Sequence, residues 1–242
     1  MAGHNKWSKV KHIKGAVDAK RAKIFSKLSR EIFVLVKEGA SDDPDLNPRL
    51  RMVLLKARQA NMPSDNVQRA IQKATGEGGA SQFLDLTYEI YGPQGVAIMA
   101  EISTDNKNRT AAEIRHILTK NGGSIASAGA VSRLFHRKGQ IMIARSDAEE
   151  ERVMEIALEA GAEDFLSDPE GYEIITDPNL FEEVLNKIEA ASIPTLSAGV
   201  TCLAELTTPV DPASIETIQK LVDKLEDHDD VTNLYTNADF PE

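Results

Sequence analysis

Nine of the first thirty residues are basic: Lys6, Lys9, Lys11, Lys14, Lys20, Arg21, Lys23, Lys27 and Arg30. A single acid, Asp18, stands among them. Cations at this density neutralise phosphates and release condensed counterions, so the chemistry they offer is polyanion binding. Trp7, His4, Asn5 and His12 are interleaved with them. An indole ring can stack on an unpaired base; packing of Trp7 against Val10 and the neighbouring helices is the equal alternative. A second polar segment, residues 104–110, carries Lys107 and Arg109 and opens a predicted helix. Its backbone amides and two cations could hold a phosphate, and an ordinary capped helix start accounts for the same spacing.

Other chemistry is not spelled out. The run Gly76-Glu77-Gly78-Gly79 lacks the Gly-Lys-Ser/Thr of a phosphate loop, and neither GxGxxG after a strand nor GxSxG occurs. The five histidines form no HExxH. Residues 226–230, Glu-Asp-His-Asp-Asp, have the composition of a cation site, but between a helix and a strand they read as a solvated acidic turn. Cys202 falls on a predicted strand and reads as a buried small hydrophobe. No catalytic residue, metal site, cofactor or small-molecule substrate is therefore assigned, and an enzyme is not expected.

The elements that position the cations follow from periodicity. Over residues 17–36, Val17, Ile24, Leu28, Ile32 and Leu35 recur near every 3.6 residues, predicting a helix. Lys20, Lys23, Lys27 and Arg30 keep the same period about 130° round from that stripe, so one face packs while four cations face outward. On this reading, changing all four to Glu abolishes binding without unfolding the chain. Gly39 stops the helix. Asn47-Pro48 opens a second helix as N-cap and first-turn proline, and Pro63-Ser64 opens a third, ended by Gly76, Gly78 and Gly79, which read as a hinge. Three helices of this kind suit a small bundle. It shows no short turn setting a recognition helix that starts with Asn, Gln or Arg, so weak sequence specificity is expected.

The pattern then alternates. Leu84, Leu86, Tyr88 and Ile90, the turn GPQG, and Val96, Ile98, Ala100 and Ile102 predict a hairpin. A helix over 108–120 follows, then a pair of short strands at 131–136 and 140–145. From residue 140 the order is strand, helix, strand, strand, helix, strand, a ferredoxin-like split βαβ unit. A tail helix (212–225) and strand (231–235) have no partner in that unit and complete the earlier piece. The predicted fold class is α+β: an N-terminal helical bundle, then two α/β domains of ferredoxin-like split βαβ type, the third inserted into the second. The boundaries are 1–79 for the basic helical domain, 80–137 plus 207–242 for a discontinuous α/β domain, and 138–206 for an acidic inserted domain.

Composition limits the function classes. The chain has 242 residues, 41% hydrophobic and 27% charged, which is ordinary for a folded protein. One cysteine makes no internal disulfide. The N-terminus lacks an apolar h-region, and the longest charge-free run, 190–204, is broken by Pro194 and Gly199. A cytoplasmic protein without membrane contact is expected. The formal net charge of −10 hides an asymmetry: residues 31–135 balance, while 136–242 carry seven basic and 25 acidic residues. A polyanion-binding head on an acidic body fits this division.

The opening MAGHNKW, with KHIKGAVDAKRAKIFSKL and the later YGPQGVAI, TDNKNRTAAEIRH and NGG, resembles the YebC/PmpR family over essentially the whole chain. The motif residues matched are Gly3, His4, Lys6, Trp7, Lys11, His12, Lys14, Asp18, Lys20, Arg21, Lys23, Phe25 and Lys27. Ile13 and Ala22 depart from it, where a basic residue and glycine are common; Ile13 removes one possible phosphate contact. The resemblance implies the same three-domain fold, no cofactor, and a cytoplasmic DNA-binding transcriptional regulator. Its mitochondrial relatives look like translational activators, and bacterial members are linked to ribosomes and proline-rich synthesis. The partner implied is thus DNA or ribosomal RNA, and with the latter the ribosome. The candidate contacts are Lys6, Trp7, Lys9, Lys11, His12, Lys14, Lys20, Arg21, Lys23, Lys27, Arg30, Lys107 and Arg109.

Overall fold

In a computed structural model, residues 18–39, 41–76 and 83–241 are described. They fall into two compact units, one ending at Phe135 and resuming at Ala204, the other spanning His136–Leu203.

Among the described residues the first unit opens with three helices, α1 (Asp18–Gly39), α2 (Pro48–Gln59) and α3 (Ser64–Thr75). Leu28, Ile32, Leu35 and Val36 of α1 bury against Leu50, Val53 and Ala57 of α2 and Ala70 and Ala74 of α3. These are the apolar stripes that the spacing marks out. Asn47 is the N-cap of α2: its Oδ1 accepts from the Leu50 amide at 3.1 Å, while its Nδ2 donates to the Leu35 carbonyl of α1 at 2.9 Å. One side chain therefore satisfies an orphan helix amide and ties two helices together. The turn absent from the sequence reading is present. Four residues, 60–63, join α2 to α3, with Asn61 at φ 54°, and Asn66, Gln68 and Arg69 lie in the first turns of α3. Asparagine tolerates that left-handed conformation, so no glycine announced the turn.

The same unit continues with β1 (Leu84–Tyr91), β2 (Ala97–Thr104), α4 (Lys107–Lys120) and β3 (Ser124–Ile125). It closes with α7 (Ile215–Glu226) and β9 (Val231–Thr236), after the inserted unit. The sheet order is β3-β1-β2-β9, with β1 and β2 antiparallel from Leu84↔Thr104 to Tyr91↔Ala97. Ile90, Ile98, Ala100 and Ile102 face Ile114 and Leu118 of α4 and Ile218, Leu221 and Leu225 of α7 in one core. The tail helix and strand do complete the earlier piece. A two-stranded parallel ladder, β8 (Thr208–Pro209) with β10 (Ala238–Asp239), had no signal in the sequence.

The second unit contains β4 (Phe135–Ala144), α5 (Glu150–Glu159), β5 (Asp164–Asp168), β6 (Gly171–Thr176), α6 (Phe181–Ala190) and β7 (Ser197–Ala204). Its sheet order, β5-β6-β4-β7, is that of a ferredoxin-like split βαβ unit. The two short strands expected at 131–136 and 140–145 are one continuous strand. Residues Ser132–Leu134 form a 3₁₀ turn instead. Gly139 misled the pattern: it sits within β4, where an added Cβ would run into Thr176 Oγ1 and Phe181. Glycine here admits a close approach and does not end the strand. Cys202 is half-buried on β7 and not in the core.

No described helix is long and apolar enough to cross a membrane.

Candidate nucleic-acid interface

The cations of α1 are mostly engaged. Lys27 Nζ donates to the carbonyls of Glu226 (2.5 Å) and Val231 (2.7 Å), at the C-terminal end of α7 and the start of β9. Arg30 Nη1 donates to Asp230 Oδ1 at 2.8 Å and to the Asp229 carbonyl at 3.0 Å. Lys23 stands 3.7 Å from Asp227 and 4.0 Å from Asp229 in exposed pairs that contribute little. The face expected to present four cations outward thus meets an acidic turn of its own chain. A helix C-terminus carries partial negative charge, which adds to the attraction. Arg21 is exposed, and Lys20 lies on α1. Lys6, Trp7, Lys9, Lys11, His12 and Lys14, and the hinge at Gly78-Gly79, lie outside the described residues.

Glu226, Asp227 and Asp229 of the acidic turn face solvent as expected, and Asp230 is the exception. Asp230 is only 3% exposed. Its Oδ2 accepts from Arg109 Nη2 at 2.9 Å and from the Thr110 hydroxyl at 2.7 Å, with Thr104 Oγ1 at 3.2 Å. Burial pushes the Asp230 carboxyl up. The bonds from Thr110, Arg109 and Arg30, with the charge of Arg109, outweigh it and hold the group below its ordinary range. The Arg109 guanidinium is correspondingly pushed up by Asp230 and Asp105. Lys27 is brought down to about 8, first by burial and then by Lys23. Sequence spacing gave no sign of this cluster, because Arg30 and Asp230 lie two hundred positions apart.

The second polar segment is a capped helix start. Asn106 Oδ1 accepts from the Arg109 amide at 3.1 Å, taking a donor that a phosphate would use. Arg109 is held by Asp105 and Asp230, while Lys107 is exposed. Glu113, His228 and Asp230 have ligand atoms within 4.8 Å of one another. Two guanidinium groups already supply the positive charge there. His228 Nδ1 accepts from the Asp230 amide (3.1 Å), leaving Nε2 to donate to Glu113 (2.9 Å).

Two cations outside the expected set stand free of the acidic turn. Arg69 and Lys73 are exposed on one face of α3, four residues apart. Charge summed along the sequence hides them, because residues 31–80 balance.

Comparison with known proteins bears on what this arrangement serves. Residues 5–77 match the TACO1/YebC protein N-terminal domain, and residues 83–238 match the TACO1/YebC second and third domain. The chain belongs to the TACO1/YebC family. A probable transcriptional regulatory protein of Ligilactobacillus salivarius is 48% identical over the full length of both chains. Another, of Desulfatibacillum aliphaticivorans, is 49% identical over 100% of this chain and 98% of the relative. The crystal structure of a conserved hypothetical protein from Aquifex aeolicus is 41% identical, covers 94% of each chain and superposes with a TM-score of 0.82. The resemblance in the opening motif and the observed α+β architecture agree with these matches.

Proposed function

We propose that this chain is a non-enzymatic, nucleic-acid-binding regulator of gene expression that holds phosphates through its basic N-terminal helical domain. The observation that carries this reading is the density of charge: nine Lys/Arg against one acid in the first thirty residues. The relatives' names, probable transcriptional regulatory proteins, support a regulatory role. With Lys27 and Arg30 turned toward residues 226–231, phosphate contact falls to the cations before residue 20, Lys20, Arg21, and the exposed Lys107, Arg69 and Lys73.

A ribosome-associated translation factor is the second reading. It is favoured by the 25 acids against seven bases of residues 136–242, which repel nucleic acid and suit a body facing protein while the head enters RNA. Sedimentation of lysate through a sucrose gradient separates the two. Co-migration with ribosomes that survives DNase treatment and is lost at high salt supports the translational reading. Migration only at the top, with DNA retardation by the purified protein, supports the transcriptional one.

A further inference from the structure

An open groove of about 790 Å³ lies between α1 and α3. That volume falls within the range of about 300–1,000 Å³ common for ligand clefts. Three phenylalanines line it, Phe25 and Phe33 from α1 and Phe83 just before β1, together with Arg30, Arg69 and Lys73. None of the described residues lining it is acidic. Phe83 is half-buried, set edge-on to Phe33 with ring centroids 6.3 Å apart at 73°. The Arg30 guanidinium lies 5.6 Å from the centre of the Phe83 ring. Arg69 is steadied by its own helix, its Nε donating to the Asp65 carbonyl at 3.1 Å and its Nη2 to Asn66 Oδ1 at 2.5 Å. Lys73 has no charged partner among the described residues.

Aromatic faces beside unneutralised cations are the equipment of single-strand binding: rings stack on bases while cations meet the backbone. A duplex keeps its bases stacked on one another and offers such a groove phosphates alone. The cationic lining also disfavours the chain's own basic N-terminal segment as occupant.

We propose that the α1–α3 groove binds a short single-stranded stretch of nucleic acid, with bases against Phe25 and Phe83 and phosphates on Arg69 and Lys73. This rests on the nucleic-acid reading above and narrows it to unpaired strands. The test is fluorescence anisotropy with the full chain and labelled oligouridine, oligothymidine and a duplex of equal length, with polyglutamate as competitor. The wild type binds both single strands more tightly than the duplex. Phe83→Leu weakens single-strand binding about fivefold or more and leaves duplex binding unchanged. Arg69→Glu with Lys73→Glu weakens it at least tenfold.

Folded variants that bind single strands like the wild type overturn the groove and leave the nucleic-acid reading standing. A wild type that binds none of the three nucleic acids overturns both. Polyglutamate competing as well as oligouridine overturns the proposal in favour of an acidic peptide. Should Phe83→Leu fail to fold, photocrosslinking of bromouridine oligomers to the wild type decides: crosslinks are expected on α1, α3 or Phe83, and crosslinks confined to other segments contradict the site.

Discussion

Arg30 of α1 and Asp230, between α7 and β9, meet at 2.8 Å, with the Asp230 side chain 5% and the Arg30 side chain 29% exposed. Arg109 takes the other carboxylate oxygen at 2.9 Å. One buried carboxylate thereby joins the helical layer to the sheet layer of the first unit, using cations that the sequence offers to phosphate.

Removing the carboxylate exposes that dependence. Asp230→Ala takes one acceptor from the buried Thr104 and Thr110 hydroxyls, which keep each other and the Asn106 carbonyl, and one from each guanidinium, Arg109 keeping Asp105 and Arg30 the Asp229 carbonyl. A loss of about 1–3 kcal/mol is expected, since the arginines can turn to water but the threonines are buried. Urea unfolding of wild type and variant measures it.

Acid acts on the same group. The folded Asp230 carboxyl lies below its ordinary 3.8, so in acid the unfolded chain takes up the proton first. The stability it contributes is present above about pH 4 and is lost as pH falls through the folded value. Thermal melts from pH 6 downward should show a steeper decline for wild type than for Asp230→Asn; parallel curves would remove Asp230 from the account.

Lys27 gives the opposite sign. Its folded value of about 8 lies below the ordinary 10.5, so between these the unfolded chain binds the extra proton. Stability from this group therefore rises with pH over that window. Wild type should gain on Lys27→Gln between pH 8 and 10, read as the difference in melting temperature.

Charge reversal should split the cations into two classes. Lys27→Glu and Arg30→Glu place carboxylates against the Glu226 and Val231 carbonyls and Asp230, and should lower the melting temperature by several degrees. Arg69→Glu and Lys73→Glu lie on an exposed face and should leave it within about a degree. The expectation that reversing Lys20, Lys23, Lys27 and Arg30 spares the fold thus gives way to one of destabilisation.

Gly139→Ala tests the close approach in the inserted unit. The new methyl collides with Thr176 and Phe181, both fully buried, at a cost of about 1–3 kcal/mol. A variant as stable as wild type would show that β4 shifts freely.

Local signals were legible and distant ones were not. Asn47 before Pro48 marked a cap, and the alternation from Leu84 to Ile102 marked a hairpin, because each is written within a few residues. The split βαβ order was readable for the same reason. Helical period showed that Lys23, Lys27 and Arg30 share a face, but it carries no information on what that face meets. Asp230 looked like one more acid in a solvent-facing run, since its partners come from residues 30, 104, 109 and 110. Gly139 and Asn61 each reversed a local rule, one by continuing a strand and the other by turning without glycine. The groove cations Arg69 and Lys73 were hidden by a charge balance summed along the chain and not over a surface.

The central claim, that the basic head holds phosphates, is tested most directly by a salt titration of full-chain binding to a nucleic acid. With about six phosphate contacts, log K should fall with log salt at a slope near −5 on duplex DNA. A slope near zero, or no binding at low salt, would contradict it.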